Sequence, residues 1–376
     1  MGFLSMFEND KRKVENIVSK EVEKYVTASV KKLDDDLIPI QNKINTYKGI
    51  VVFPQALDYN PIDRPQNILR TFAKKGFLCF FCVDNPNIKL QEIEPNLFII
   101  SNQERLLPLF KGRKVLFLIT YFLQYIFAKT VENRMIWFDI MGRIDKYKYY
   151  NNYSIQIYKE IMNEAIISTY RTEEYKKYYE GVRENVMLLK DGIMIEDFIN
   201  DKNIIGNDLR KYLFMNKKVI GYYGDINQNI DFDLIKKIDS LNTYIIILIG
   251  KMDDSISLKE YSLRNTYVLP NKDYSDLKKY VSHFDLVFFP LKNDIDHTLY
   301  KKTLESSAMK RKIITYENDE LKALGLPNII FVKNSDELIN VLNNISEKND
   351  YELPKKIQEI LIKYSWENVI NKVLLL

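Results

Sequence analysis

From Gly49 onward the chain alternates between short runs that are apolar at almost every position and longer stretches with helical spacing. A strand that is apolar on both faces has to be covered on both, and a parallel sheet with helices packed on each side does this. The first series of runs is Ile50 to Phe53, Phe77 to Val83, Leu97 to Ile100, Val115 to Thr120, Met135 to Ile140, Ala165 to Thr169 and Val186 to Leu189. After a polar segment the second series is Val219 to Tyr223, Tyr244 to Ile249, Thr266 to Leu269, Leu286 to Pro290, Lys312 to Thr315 and Ile329 to Val332. The spacing predicts an α/β protein of two tandem doubly wound, Rossmann-like domains, 46–200 and 201–354, joined around 190–216.

A chain of 376 residues exceeds one ordinary core and suits two domains. With 46% hydrophobic and 28% charged residues it has the composition of a folded protein, and a net charge of +4 is mild and does not argue for a nucleic-acid partner, so none is expected. Cys79 and Cys82 lie in the apolar run GFLCFFCV, with no second pair or histidine cluster to complete a metal site. They read as core thiols in a reducing compartment, and no metal is expected. No run approaches the ~18–20 apolar residues of a membrane span, and no signal-peptide core is visible, so a cytoplasmic protein is expected.

Residues 1–45 stand apart as a helical segment. Val14, Ile17, Val18, Val22, Tyr25, Val26, Val30, Leu33 and Leu37 recur at helical spacing, which predicts one amphipathic helix ending before Pro39. Its stripe suits packing on the body, pairing in a homo-oligomer, or peripheral contact with the inner face of a membrane through Phe3, Leu4, Met6, Phe7 and Lys11 to Lys13.

The stretch from His283 to Thr315 concentrates the chemistry. It reads as a buried strand, a polar loop, a helix opening near Tyr300 that carries Lys301, Lys302 and Glu305, and a second strand. A helix N-terminus with lysines in its first turn, set at the carboxyl end of a parallel sheet, favours a phosphate. Lys251, after the Gly250 turn, is a second cation candidate, and His297 in the loop has a donor for a phosphate or sugar oxygen. In the first domain Asp58, Asp63 and Arg64 follow the first strand, and Asp139 and Arg143 follow the fifth, where ligands of such sheets bind. Asp63 and Arg64 equally suit a helix cap and start, and Asp139 a turn.

The running text resembles GT-B glycosyltransferases, near glycosyltransferase family 4 and the related glycosyl transferases group 1. VIGYYGDINQNIDFDLIKKI is similar to the family's opening strand, glycine turn and helix, and YIIILIGK to its second strand and turn. NTYVLPNKDYSDLKKYVSHFDLVFFPL is similar to the segment in which a strand near the nucleotide base leads through a Y-x-x-L helix to the fourth strand. LYKKTLESSAMKRKIIT resembles the P-L-K-x-x-E-x-x-A-x-G-x-P-V-V block, matching Lys302, Glu305 and Ala308, while Tyr300, Lys310 and Lys312 replace its prolines and glycine. DRPQNILRTFAKKGF resembles the R-P-Q helix, LLKDGIMIEDF the interdomain segment, and YSWENVI the last helix, which implies that 355–376 crosses back to the first domain.

The resemblance implies a first domain for the acceptor and a second for a UDP, GDP or dTDP sugar, with no further cofactor. Glu305 would take the ribose hydroxyls; Lys302 would neutralise the diphosphate; Gly224, Asp225, Gly250, Lys251, Leu269, Tyr300 and Lys301 would line the donor site. His297, Lys302 and Glu305 are the catalytic expectations, and Asp58, Asp63, Arg64, Asp139 and Arg143 the acceptor-side ones. A retaining transfer to a glycan or lipid-linked acceptor, in surface polysaccharide or glycoconjugate assembly, is implied. His297 stands eight residues before Glu305, where some of these families carry a glutamate, and the Gly224 turn lacks their arginine and lysine. A catalytically silent GT-B domain serving as a scaffold for other transferases is the alternative.

Overall fold

The computed structural model describes residues 2–29, 31–199, 203–292, 298–344 and 353–375. The chain divides into two compact units, Met1–Lys190 with Val369–Leu376, and Asp191–Asn368.

Unit 1 is built on an eight-stranded sheet of order β3-β4-β2-β1-β5-β6-β7-β8. Its strands are β1 (Ile50–Phe53), β2 (Leu78–Val83), β3 (Leu90–Glu94), β4 (Leu97–Ser101), β5 (Val115–Ile119), β6 (Arg134–Ile140), β7 (Ile167–Tyr170) and β8 (Met187–Leu188). All neighbours pair parallel except β3 with β4. Every residue of β1, β2, β4 and β5 is buried, as strands covered on both faces must be. The sequence misses only β3, an antiparallel edge strand of sequence LQEIE; an edge has little to bury and needs no apolar run. β7 begins two residues later than the apolar run because Ala165 still donates to Ile161 at 2.8 Å and closes the helix Asn152–Glu164.

Unit 2 holds a six-stranded sheet, all parallel, of order β11-β10-β9-β12-β13-β14. Its strands are β9 (Lys218–Tyr223), β10 (Tyr244–Ile249), β11 (Thr266–Leu269), β12 (Leu286–Phe288), β13 (Lys312–Tyr316) and β14 (Ile329–Val332). Counted within the unit this is the 3-2-1-4-5-6 order of a dinucleotide-type fold, whose ligand crevice opens beyond the carboxyl ends of the first and fourth strands, here β9 and β12. The unit closes on itself near its chain ends: Trp366 donates its backbone N–H to Ile193 at 3.1 Å, and a Cβ on Gly192 would lie 2.9 Å from the Trp366 Cα.

Two expectations about the chain ends change. Residues 1–45 are not one separate helix: the helix Gly2–Ser29 stops early, and Pro39 sits in the first turn of a second helix, Ile38–Lys43, where a missing N–H costs nothing. Val14, Tyr25 and Ala28 are buried in the core of unit 1, with the Tyr25 ring 5.1 Å from that of Phe127. The segment therefore packs on the body, with Val22 and Val26 left exposed; Val30 lies outside the described residues. The units also part at 190/191 and 368/369 rather than near 200 and 355, so most of the expected crossing helix, 355–368, groups with unit 2. Among the described residues no helix is long and apolar enough to cross a membrane.

Candidate functional site

At the carboxyl end of the unit 2 sheet, two glycine turns touch. Gly224 follows β9 and donates to the Ile249 carbonyl at 2.9 Å; Gly250 follows β10 and donates to Leu269 at 3.2 Å. A Cβ on Gly250 would lie 1.9 Å from the Gly224 carbonyl oxygen, so no side chain fits between the turns. Gly224 has φ +138°, and a Cβ there would fall 2.5 Å from the Lys302 Nζ. The ammonium group thus rests directly on the bare backbone of that turn. It also sits 5.5 Å from the centre of the Tyr222 ring, whose hydroxyl donates to the Asp225 carbonyl at 2.9 Å.

Lys302 and Glu305 come from the helix Leu299–Ala308, which the sequence places within a residue. Glu305 is buried, and its two oxygens differ. Oε2 accepts from the Tyr223 hydroxyl at 3.2 Å, and that hydroxyl also meets the Lys302 carbonyl at 2.9 Å and the Ser306 Oγ at 3.0 Å. Oε1 is shielded from water and accepts no hydrogen bond; the Lys301 ammonium stands 4.0 Å away. Lys301 in turn lies 5.1 Å over the Tyr274 ring, which packs edge-on against Phe198 at 5.3 Å.

Burial pushes the Glu305 carboxyl above its ordinary value, against the pull of Lys301, the Tyr223 hydroxyl, Lys302 and the Tyr274 hydroxyl. Burial likewise raises Tyr223 and Tyr274, with the Glu305 charge adding to it. Leaving a buried acceptor unmade costs about 1–3 kcal/mol, and more for a charged group. A ligand offering hydroxyl donors to Oε1 would satisfy that oxygen, and a phosphate beside Lys302 would meet a cation.

The other expected donor-side residues divide. Gly224, Gly250, Lys301, Lys302 and Glu305 gather. Leu269 ends β11 and is buried beneath the Gly250 turn, which it anchors through its carbonyl. Asp225 and Lys251 have exposed side chains in the turns. Tyr300 departs from the expectation: its buried ring packs against Tyr364, 6.4 Å away, because a bulky apolar ring at the second helical position finds more to bury there. His297 lies outside the described residues.

In unit 1 two acceptor-side expectations are corrected. Arg64 and Asp139 both have side chains with 0% exposure and face each other, Nε to Oδ2 at 2.6 Å and Nη2 to Oδ1 at 2.9 Å. Thr169 donates to Asp139 at 2.5 Å and receives the Trp137 indole N–H at 2.8 Å. Asp139 is in a strand and not in a loop, and a bidentate pair with every carboxylate oxygen engaged is internal scaffolding, with nothing left for an acceptor. Asp63 precedes the helix Arg64–Lys74 and donates its backbone N–H to the Gln66 Oε1 at 3.2 Å, and its carboxylate lies 3.6 Å from Arg171. Asp58 and Arg143 remain exposed, with Arg143 paired to Asp145 at 2.7 Å.

Sequence reasoning missed Tyr222, Tyr223 and Tyr274. The signal was the pair of phenols ending β9 just before Gly224: in a strand buried on both faces each hydroxyl needs a partner, and here the partners are the site. Among the described residues no cluster of three or more His, Cys, Asp or Glu side chains is arranged for a metal ion.

Two Rossmann-like parallel sheets in tandem, with glycine turns and a cationic helix at the carboxyl edge of the second, define the GT-B glycosyltransferase fold. Among solved structures the chain is similar to Anabaena HepE in complex with UDP, at TM-score 0.59 and 14% identity over 87% of this chain and 98% of that one. It is also similar to sucrose-phosphate synthase from Thermosynechococcus elongatus, at TM-score 0.57 and 12% identity over 87% and 97%. A third is an α,α-trehalose-phosphate synthase (UDP-forming) from Burkholderia vietnamiensis, at 0.57 and 11% over 87% and 99%. At these identities the likeness establishes the fold. No family profile and no curated protein matches the sequence.

Proposed function

We propose that this chain is a glycosyltransferase that moves a hexose from a nucleotide-sugar donor, held by unit 2, to a glycan or lipid-linked acceptor. The observation that carries the reading is the buried Glu305 Oε1, an acceptor without a hydrogen bond, on the helix whose Lys302 ammonium lies against the Gly224 turn. A vicinal diol such as a ribose supplies the missing donor, and a diphosphate complements the cation. HepE has been solved with UDP, with UDP-glucose, and with UDP and glucose, so a UDP sugar is the first donor to test, ahead of GDP and dTDP sugars.

In the reaction the acceptor oxygen bonds to the anomeric carbon while the bond from that carbon to the diphosphate breaks. The nucleoside diphosphate departs with the electron pair, stabilised by Lys302. We favour retention, with attack on the leaving-group face and the acceptor proton passing to the departing phosphate oxygen. His297 keeps its proposed role, as donor to a sugar or phosphate oxygen, on sequence grounds. Likeness to glycosyltransferase family 4, surface polysaccharide or glycoconjugate assembly, and peripheral contact with a membrane belong to the same proposal.

Calorimetric titration of UDP, GDP and dTDP, followed by incubation with the corresponding sugars, tests it. One nucleotide should bind in the micromolar range and lose affinity in Lys302→Ala and Glu305→Gln. A folded protein that binds none of the three would sink the reading and favour the scaffold.

A further inference from the structure

Unit 2 holds a cavity of about 380 Å³, lined by Phe198, Ala308, Ile357 and Leu361 on its apolar side and by Lys310 and Arg311 on its charged side. It lies past the last turn of the helix Leu299–Ala308, whereas Lys302 occupies the first turn. Its volume falls toward the lower end of the ~300–1,000 Å³ of small-molecule sites.

Arg311 is fixed in place by neutral acceptors. Its Nε donates to the Met309 carbonyl at 2.9 Å and its Nη1 to the Phe284 carbonyl at 2.9 Å. Carbonyl oxygens orient a guanidinium without cancelling its charge, and burial here works against that charge. Asp285, the acid that acts on Arg311, already accepts the Val219 N–H at 2.7 Å. Lys310, exposed at the rim and held at φ +60°, adds a second cation. Among the described residues lining the cavity none is acidic. Asp285 offsets part of the Arg311 charge, and with Lys310 beside it the site keeps an excess of positive charge at one end and apolar walls at the other. A guanidinium with N–H groups to spare is matched by a phosphate or carboxylate, and the walls by a short hydrocarbon or aromatic body.

We infer that this cavity binds a small organic anion, a phosphate or carboxylate head at Arg311 and Lys310 carrying a short apolar body against Phe198, Ile357 and Leu361. It is a site separate from the proposed nucleotide site and stands whether or not a nucleotide binds.

The probes are hexyl phosphate and hexanoate, with hexanol as the neutral counterpart, titrated against the full chain by ligand-observed NMR. Both anions should bind at least ten-fold more tightly than hexanol. Lys310→Glu, at an exposed position, should weaken the anions at least ten-fold while leaving hexanol unchanged, and Ala308→Phe should abolish binding by filling the space. Lys302→Ala should bind hexyl phosphate as the parent does. Equal binding of hexanol, loss of hexyl phosphate in Lys302→Ala, or undiminished anion binding in Lys310→Glu would each overturn the assignment.

Discussion

Asp139 in unit 1 and Glu305 in unit 2 are both buried carboxylates, and the two are treated in opposite ways. Asp139 in unit 1 is met by the Arg64 fork and the Thr169 hydroxyl, so both oxygens are engaged. Glu305 in unit 2 is also buried, yet Oε2 has the Tyr223 hydroxyl while Oε1 makes no close hydrogen bond and has only Lys301 4.0 Å away and the pull of Tyr274. A satisfied buried charge holds a fold together; an unsatisfied one holds a place for something else. Burial alone therefore does not single out Glu305; the buried oxygen without a hydrogen bond is the added feature that makes it a candidate.

The sharpest way to break this contrast is to remove Asp139. Asp139→Ala strands the Arg64 guanidinium in the core and should cost about 3–5 kcal/mol of unit 1 stability. Chemical denaturation followed through the Trp137 fluorescence would register it, and Arg64→Met combined with Asp139→Leu should restore much of the loss. A single mutant as stable as the parent would mean that the pair is not structural.

The contrast also explains what the amino-acid sequence discloses. Thirteen of the fourteen described strands stand out as apolar runs; the interior ones are buried on both faces and have no alternative composition, whereas the antiparallel edge strand Leu90–Glu94 has little to bury and escapes. Lys302 and Glu305 were readable because their spacing on one helix fixes them on one side of it, close to the glycine turns. Arg64 and Asp139 misled because they are 75 residues apart, and no local pattern reveals that a charge at a strand end has a partner arriving from the first helix of the sheet. The Tyr223 bridge has the same character: its hydroxyl reaches Glu305 across 82 positions.

Next in size is the effect of Glu305→Gln on ligand affinity. Replacing the carboxylate by an amide removes a charged acceptor worth about 1.5–3 kcal/mol, so nucleotide affinity should fall roughly 10- to 100-fold. Thermal stability of the free protein should hold or rise, because an underserved buried charge is gone. A variant that unfolds as Asp139→Ala does would place Glu305 in the structural class and erase the distinction.

The pH dependence of the same pair of proteins gives a smaller effect with a definite sign. Burial holds the Glu305 carboxyl above its ordinary value, so between the unfolded and folded values the native chain binds more protons. Its stabilising contribution is complete below the unfolded value and is lost as pH rises through the folded one. The stability of the parent relative to Glu305→Gln should therefore decline with rising pH across that window and be flat below it. A parent that gains on the variant as pH rises would show that the carboxylate is already satisfied.

Asp145 provides the opposite sign and the least effect. Arg143, and after it the Tyr178 hydroxyl, hold this half-buried carboxyl well below the usual range. A depressed value contributes stability that is present above the unfolded value and lost as pH falls through the folded one, the reverse of Glu305. Solvent and salt screen an ion pair in the open, and holding two side chains in one geometry costs entropy. Asp145→Asn should consequently leave the unfolding transition at neutral pH where it was, with only a slight gain relative to the parent in acid. If it instead destabilised unit 1 as much as Asp139→Ala, the ranking by burial and satisfied hydrogen bonds would fail at its weakest member, and exposure would not be the property that separates the three acids.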